Sequence, residues 1–316
     1  MKNIEKQGIR GEIFLTITAI IWGTSFVVQK VSLDYIGPFT FVALRFILGA
    51  LLLIPVVLLL DCIKQKNTAL SAAGMDSTGK KLFMTKPTVF GGIACGFALF
   101  LAASFQQNGL AYTSSGKAGF ITGLYIVLVP LLGLLLHKKV RGLIWAGVAF
   151  AIAGLYLLCI NEGFTIGKGD LIVLIGALFW AIHILIVDRF AATADCLKMS
   201  VLQIFVAGLL SCVPMFLLET PTITAILDGA WTILYTAVIV TGVAYTLQIF
   251  GQRNTDPAIA SLIMSLESVF AVISGMLLLN EVMSIKEIIG CVLMFIAVII
   301  TQLPQKDSAM QPVTEQ

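Results

Sequence analysis

Charged side chains are scarce in this sequence. Only 12% of its 316 residues are Asp, Glu, Lys or Arg, whereas 59% are hydrophobic, and the mean hydropathy is +1.01. An ordinary soluble domain has about twice this share of charged residues. The composition therefore excludes a typical soluble protein and predicts an integral membrane protein.

The sequence also lacks the alternation of polar and apolar residues that marks membrane β-strands. Its apolar stretches are unbroken and about 20 residues long, which is the length that a helix needs to cross a bilayer. In the hydrocarbon core of a bilayer, only helices and closed β-barrels satisfy all backbone hydrogen bonds. Since the β-strand pattern is missing, we predict an all-α membrane protein with ten transmembrane helices. The stretches lie at about 13–32, 39–60, 88–110, 116–136, 143–160, 170–190, 200–218, 230–250, 257–279 and 286–303.

Motifs for enzymatic chemistry are missing as well. There is no HExxH zinc motif, no phosphate-binding GxxxxGK[ST] loop and no CxxC pair, and the only two histidines are His137 and His183. The six cysteines have no metal-ligand spacing and are interpreted as small packing residues. We therefore predict no enzyme activity, no catalytic residues, no metal site and no cofactor.

The distribution of basic residues predicts the orientation in the membrane, because Lys and Arg resist translocation. With the N-terminus inside, most of them fall in inner segments, above all in the loop at 61–87. The net charge of +3 then reflects the excess of basic residues in the cytoplasmic segments and does not indicate a nucleic-acid partner. We predict a multi-pass protein of the plasma membrane with both termini cytoplasmic, whose first apolar stretch stays in the membrane as an anchor.

The chain contains an internal repeat. GEIFLTITAIIW, which begins at Gly11, aligns with GDLIVLIGALFW from Gly169, and residues 113–140 align without a gap with 255–282. We predict a first repeat at 11–160, a second at 169–303 and a cytoplasmic tail at 304–316. Since each repeat has five spans, the two must cross the membrane in opposite directions, as in many secondary transporters.

Three segments resemble the EamA family of the drug/metabolite transporter superfamily. They are WGTSFVVQKVSLDYIGPFTFVALRFILGALLLIP at 22–55, AYTSSGKAGFITGLYIVLVPLLG at 111–133 and DPAIASLIMSLESVFAVISGMLLLNE at 256–281. The resemblance implies ten helices in two inverted repeats, a central cavity, and export or exchange of small metabolites such as amino acids. The chain departs from the usual LEPVFA pattern of the second repeat, since Ser268 replaces the proline.

Glu267 is an ionisable residue in an otherwise apolar stretch. It lies ten residues after Pro257, about 15 Å along a helix and therefore near the centre of the bilayer. A carboxylate at that depth normally faces the bundle interior or water and often belongs to a substrate or proton pathway. A Glu that stays protonated, or that joins helices by hydrogen bonds, is the alternative, and the sequence does not separate the two.

The repeat pairs several polar and aromatic residues with one another. Trp22 aligns with Trp180, Ser25 with His183, Gln106 with Gln248, and Tyr125 with Glu267. An inverted-repeat cavity would collect such pairs, although packing, interfacial anchoring and helix–helix hydrogen bonds are alternatives for each. The predicted substrate-binding residues are Trp22, Ser25, Gln106, Thr122, Tyr125, Trp180, His183, Tyr245, Gln248 and Glu267, with Glu267 also the candidate for coupling.

Arg45 lies within the second apolar stretch, and its counterpart in the repeat is the uncharged Gln203. Snorkelling allows long basic side chains to reach the membrane surface. We favour a structural anchor over an anion ligand at this position.

The predicted function is secondary active transport, because the sequence lacks a nucleotide site that could drive uphill transport. The predicted partners are a small-molecule substrate and the lipid bilayer, with no nucleic acid, and a homodimer remains open beside a monomer. Two other classes also remain: an intramembrane enzyme acting on lipid, and a receptor or scaffold that does not transport.

Overall fold

The computed structural model describes residues 2–71, 84–113, 115–138, 140–159, 167–279 and 284–303, and every regular element in these ranges is a helix. The uninterrupted long helices are α1 (Lys2–Ser32), α2 (Pro38–Ser71), α3 (Lys86–Leu110), α6 (Gly142–Cys159), α7 (Lys168–Ala191), α8 (Cys196–Leu218) and α14 (Ile285–Gln302). The others are α4 (Ser115–Gly123), α5 (Tyr125–Leu135), the short α9 (Ile223–Asp228), α10 (Ala230–Tyr235), a π-helical segment (Thr236–Ala244), α11 (Tyr245–Gln252), α12 (Pro257–Met264) and α13 (Glu267–Leu279).

The helices account for the predicted membrane spans. In the described part of the chain, eight helical stretches are long and apolar enough to cross a bilayer, and a shorter apolar stretch covers Gly142–Leu157. The fourth, eighth and ninth of the predicted spans each consist of two or more consecutive helical pieces. All ten predicted spans fall on helices, and the predicted all-α membrane fold is confirmed.

One boundary differs clearly from the prediction. The loop expected at 61–87 begins later, because α2 continues to Ser71 before α3 starts at Lys86. The segment DCIKQKNTALS at 61–71 contains neither glycine nor proline, so nothing in it stops a helix that is already formed. The rest of that predicted loop, from 72 to 83, and the predicted tail from 304 onward lie outside the described residues.

The helices pack in sets that the internal repeat relates to each other. Helix α3 packs against α7 and α8, and the equivalent contacts in the other repeat join α1 to α11 and α2 to the π-helical segment. Helices α2 and α8, which the repeat superposes on each other, are in direct contact, and so are α6 and α14. These contacts bring equivalent residues of the two repeats together at the centre of the bundle.

Polar contacts join helix ends that the sequence assigns to one side of the membrane. On the predicted outer side, the Glu219 carboxylate accepts hydrogen bonds from the backbone N–H groups of Phe39 and Thr40, both at 2.8 Å, and so stabilises the N-terminus of α2. There also, Lys30 Nζ donates to the Leu110 carbonyl at 2.7 Å. On the predicted inner side, Lys198 forms an ion pair with Asp61 at 2.8 Å.

Candidate functional site

A central cavity lies where the two repeats meet. Every substrate-binding residue predicted from the sequence, with the exception of His183, contributes to its wall. The wall is formed by Trp22, Ser25, Phe26, Gln29, Arg45, Gln106, Thr122, Tyr125, Trp180, Ile184, Val240, Tyr245, Gln248 and Glu267. The structure therefore brings together residues that are far apart in the sequence.

Two helix interruptions position the residues at one side of this cavity. Leu124 separates α4 from α5, and its N–H donates to the Ile121 carbonyl three residues earlier, at 3.2 Å. The N–H of Leu266 donates to the Ile263 carbonyl in the same way, also at 3.2 Å. Leu124 and Leu266 occupy equivalent positions in the two repeats, so each repeat tightens its helix by one short turn at the same place.

Tyr125 and Glu267 are the first residues after these two interruptions, and they contact each other. The Tyr125 hydroxyl donates to Glu267 Oε1 at 3.2 Å, and both side chains are 3% exposed. In the described residues, no basic side chain forms an ion pair with Glu267. The carboxyl group is thus held by a neutral phenol inside the bundle, where it can accept a proton or a cationic group.

Three aromatic rings form another part of the wall. The Trp22 ring centroid lies 5.2 Å from that of Tyr245 and 5.9 Å from that of Trp180. The rings of Trp180 and Tyr245 are stacked, with their planes inclined by 10°. Faces of Trp and Tyr attract cations, so this cluster suits an ammonium group or an apolar substituent.

The wall also holds polar atoms without a partner. Trp180 Nε1 donates to Gln106 Oε1 at 3.0 Å, and Gln248 Nε2 donates to Gln252 at 3.0 Å. In contrast, four buried atoms of wall residues have no hydrogen-bond partner among the described residues: Trp22 Nε1, Arg45 Nε, Thr122 Oγ1 and Gln248 Oε1. Buried polar groups in native proteins are nearly always paired, so these donors and acceptors are available to a bound molecule.

His183 lies behind this wall. Its Nε2 is 2.9 Å from Gln203 Oε1, and its ring stands edge-on to Trp180 with centroids 5.9 Å apart. It therefore supports the aromatic cluster from outside the cavity and does not line it, unlike its repeat counterpart Ser25.

Five wall residues were missed by the sequence prediction of the cavity. Three are apolar, which gives no signal in a chain of this composition. Gln29 could have been found, because it follows Ser25 by one helical turn on the same face of α1, and its Nε2 donates to the Ser25 hydroxyl at 2.9 Å. Arg45 is recognisable in the sequence as a basic residue within a span, but its neighbours in space are not. The structure buries it on the cavity wall, 2% exposed, and not at the membrane surface.

The cavity is small in this structure. Its volume is about 30 Å³, enough for water-sized groups only. Two larger grooves, of about 460 and 690 Å³, are lined mainly by apolar side chains such as Phe100, Leu217 and Leu135, as expected for helix surfaces that contact lipid. The polar side chains are therefore concentrated around the small central cavity, and a molecule larger than water fits there only if the helices around it move apart.

A π-helical segment adjoins the cavity. Thr236–Ala244 interrupts the regular hydrogen bonding between α10 and α11, with Val240 on the wall and Tyr245 directly after the segment. Such π segments are uncommon and are found often at functional sites. No group of His, Cys, Asp and Glu residues that could hold a metal ion occurs within the described ranges.

Known proteins with similar sequences are transporters. A chain from Archaeoglobus fulgidus, described as an uncharacterized transporter, is 32% identical over 92% of this chain and 84% of its own length. YedA of Escherichia coli K12, described as an uncharacterized inner membrane transporter, is 24% identical, covering 89% and 87% of the two chains. YetK of Bacillus subtilis, also described as an uncharacterized transporter, is 23% identical, covering 98% and 92%.

The fold and the family are shown by two further comparisons. One solved crystal structure matches with a TM-score of 0.72 over 92% of this chain and 95% of its own, and its 18% identity bears on the fold alone. The sequence model of the EamA-like transporter family matches residues 9–160 and 167–303. With nearly the whole chain matched in this way, the protein is a member of the EamA-like transporter family.

Proposed function

We propose that this protein is a secondary active transporter that exports or exchanges small metabolites such as amino acids. It lies in the plasma membrane with both termini in the cytoplasm. The proposal extends the family assignment, which establishes a multi-pass membrane transporter, to a substrate class and an orientation.

One observation carries the proposal: the cavity between the two repeats presents unpaired polar atoms beside a buried carboxyl group. Within the described ranges, Thr122 Oγ1 and Gln248 Oε1 are unpaired on its wall, and the Glu267 carboxyl group has Tyr125 as its only hydrogen-bond partner. Burying an unpaired polar atom costs about 1–3 kcal/mol, and this cost is removed when a polar molecule binds. A small substrate with hydrogen-bonding groups is the kind of molecule that fits.

The closed cavity also accords with alternating access. In that mechanism a central site opens to one side of the membrane at a time, and the site closes around the substrate between the two open states. The breaks at Leu124 and Leu266 and the π-helical segment are the places where the helices around the cavity depart from regular geometry. They are the natural positions for the bending that opening requires.

Flux into proteoliposomes tests the proposal. Purified full-length protein is reconstituted, and uptake of labelled amino acids and nucleosides is measured with and without an unlabelled internal pool and with an imposed pH gradient. We expect saturable uptake of at least one amino acid that an internal pool accelerates. Phe216→Ala is a matched control, because Phe216 is 71% exposed on the outer surface of the bundle and should not alter flux.

The same experiment separates the other classes of function. A receptor or scaffold would bind a compound without moving it across the membrane, and an enzyme acting on lipid would change the lipids without solute uptake. Absence of flux for every compound of the panel, in protein that is folded and correctly inserted, would contradict the proposal.

A further inference from the structure

Arg45 carries a fixed positive charge, and it is one of the largest fully buried side chains among the described residues. It is 2% exposed and lies on the cavity wall. Its guanidinium group rests over the rings of Phe41 and Phe46, at 5.3 and 4.8 Å from the ring centroids. Because Arg is almost never fully buried without a charged partner, its surroundings need an explanation.

The contacts of Arg45 use only a small part of its bonding capacity. Its Nη1 donates to Gln29 Oε1 at 3.3 Å, a long bond to a neutral amide, and its Nε has no partner in the part of the chain that the structure describes. Among the described residues no carboxylate forms an ion pair with it. An arginine that served only to hold helices together would be expected to donate most of its five N–H groups to neighbouring helices.

The second repeat shows that the scaffold does not require a cation at this position. The counterpart of Arg45 is Gln203, which is fully buried and contacts His183 Nε2 through its Oε1 at 2.9 Å. The equivalent place in the fold thus holds an amide and an imidazole, whose other polar atoms, Gln203 Nε2 and His183 Nδ1, have no hydrogen-bond partner among the described residues. Since the internal repeat aligns the two positions, the charge of Arg45 belongs to the first repeat alone.

We propose that Arg45 binds the carboxylate of the substrate, while Glu267 and the aromatic cluster of Trp22, Trp180 and Tyr245 receive its ammonium group. This inference rests on the proposed function and narrows it to substrates that are amphoteric. A guanidinium group presents parallel N–H donors that match the two oxygens of a carboxylate. The unpaired Nε of Arg45, a residue of the cavity wall, supplies one of these donors.

The charges of the cavity select a molecule with one group of each sign. The wall carries one fixed cation, Arg45, and one carboxyl group, Glu267. A zwitterion pairs both, whereas a simple amine leaves the arginine buried and unpaired, and an unpaired buried charge is strongly unfavourable. A phosphate ester, with a second negative charge, would need more basic side chains than this wall provides.

Matched ligands test the assignment on the wild-type protein. The probes are leucine, phenylalanine and threonine, each as the free acid, as its carboxamide and as the decarboxylated amine. Binding to the purified full-length chain is measured by the shift of its melting temperature and by titration of tryptophan fluorescence, and transport by competition with flux. We expect at least one free acid to bind about 10- to 100-fold more tightly than its amide and amine, the factor for losing a charge-assisted hydrogen bond.

Two substitutions locate this preference at Arg45. Arg45→Gln gives the first repeat the residue that the second repeat has, and it should abolish the preference for the acid. Arg45→Lys keeps the charge without the paired donors, so it should weaken binding of the acid while retaining some preference over the amide. Arg253→Gln removes an exposed arginine outside the cavity and should behave as wild type. If Arg45→Gln does not fold, as judged by gel filtration, the Arg45→Lys variant decides.

The outcomes separate this inference from the proposed function. Transport of an amine, an amide or a nucleoside without preference for a carboxylate would leave a transporter and overturn the role of Arg45. The same conclusion would follow if a folded Arg45→Gln variant, or the Arg45→Lys variant, bound the acid with unchanged affinity. Absence of any transport would overturn both.

Discussion

The Glu267 carboxyl group has one hydrogen-bond donor, Tyr125, at 3.2 Å and is nearly inaccessible to solvent. Placing a charge in such surroundings is unfavourable unless a partner arrives with it. A proton and the ammonium group of a substrate are both suitable partners. Because they would compete for one carboxyl group, binding of the substrate would release the proton, and this competition would couple the two movements.

A Glu267→Gln variant tests this coupling. Glutamine keeps the size of the side chain and an oxygen that accepts the Tyr125 hydrogen bond, but it cannot take up or release a proton. We therefore expect normal expression and folding, a loss of the dependence of flux on the pH gradient, and slower net export. The measurement is proteoliposome flux at a series of external pH values, with Phe216→Ala as the control.

A structural role for Glu267 predicts a different result. Glutamine would then be close to wild type in every assay, including the pH profile, whereas Glu267→Ala would lose the interhelical hydrogen bond and leave a void, at a cost of about 2–5 kcal/mol. Normal, pH-dependent flux in the Gln variant would rule out the coupling role.

At the scale of single residues, the sequence predicted well which polar residues gather around the cavity. It predicted less well which partner each side chain contacts. The repeat identified Trp22, Trp180, Tyr125 and Glu267, since residues on a symmetry axis come from equivalent positions. Arg45 could not be placed in this way, because its counterpart Gln203 is uncharged and points to His183 in the structure. The direction of one side chain within a helical bundle depends on its neighbours in space, which the sequence does not reveal.

At the scale of helices, the close approach of α1 to α13 fixes the position of Glu267. A Cβ atom added to Gly23 would lie 2.5 Å from the Glu267 carbonyl oxygen and 2.7 Å from Phe270 Cβ. Only glycine allows the two helices to pack at this distance. The backbone contact at Gly23 therefore sets where the carboxyl group enters the cavity.

Gly23→Ala should be destabilising, because the added methyl group must separate the two helices. Gly119→Ala is the matched control: Gly119 is also in a helix, and among the described residues no atom outside its own stretch of helix lies within 4 Å of the Cβ that it would gain. Both variants gain the same helix propensity, so their difference isolates the steric cost, about 1–3 kcal/mol.

The comparison uses apparent melting temperatures in detergent at one fixed heating rate, with flux measured in parallel. We expect Gly23→Ala to melt below Gly119→Ala and to transport more slowly. Equal melting temperatures would show that the helices do not pack this closely in the membrane.

The helices themselves were predictable, because a bilayer demands long apolar segments and the sequence supplies them. Their interruptions were not. The replacement of the family proline by Ser268 removes one reason to expect a bend in the ninth span, yet α12 ends at Met264 and α13 begins at Glu267. The turn at Leu266 contains neither proline nor glycine, so packing in the bundle determines that break, whereas the turn at Leu124 contains Gly123, a residue at which helices commonly bend.

At the scale of the whole molecule, the packing of the helices does not test the predicted orientation of the protein in the membrane. The contacts between helix ends join residues assigned to one side, such as Asp61 with Lys198. Helix ends on one side of the membrane contact each other in any bundle of ten spans. The contacts are therefore the same whether that side is the cytoplasmic or the outer one. The distribution of Lys and Arg is what favours cytoplasmic termini.

Labelling of single cysteines measures the orientation. In a background with the six native cysteines replaced by serine, Lys80→Cys and Lys168→Cys are treated with a membrane-impermeant maleimide in intact cells. We expect Lys168→Cys to react from outside and Lys80→Cys only after permeabilisation. Reaction of both from one face would contradict the opposite insertion of the two repeats.

The contact between Tyr125 and Glu267 has a consequence for how such a molecule arises from two copies of one five-helix unit. In a dimer of identical units, a residue at this position faces its own copy across the two-fold axis. A glutamate there would meet a second glutamate, and two carboxylates at contact distance cannot both be ionised. Joining the units in one chain lets the two positions diverge, so a phenol can support a single carboxyl group. The fused protein thereby has a single carboxyl group beside a phenol at its centre, where two identical halves would place two carboxyl groups.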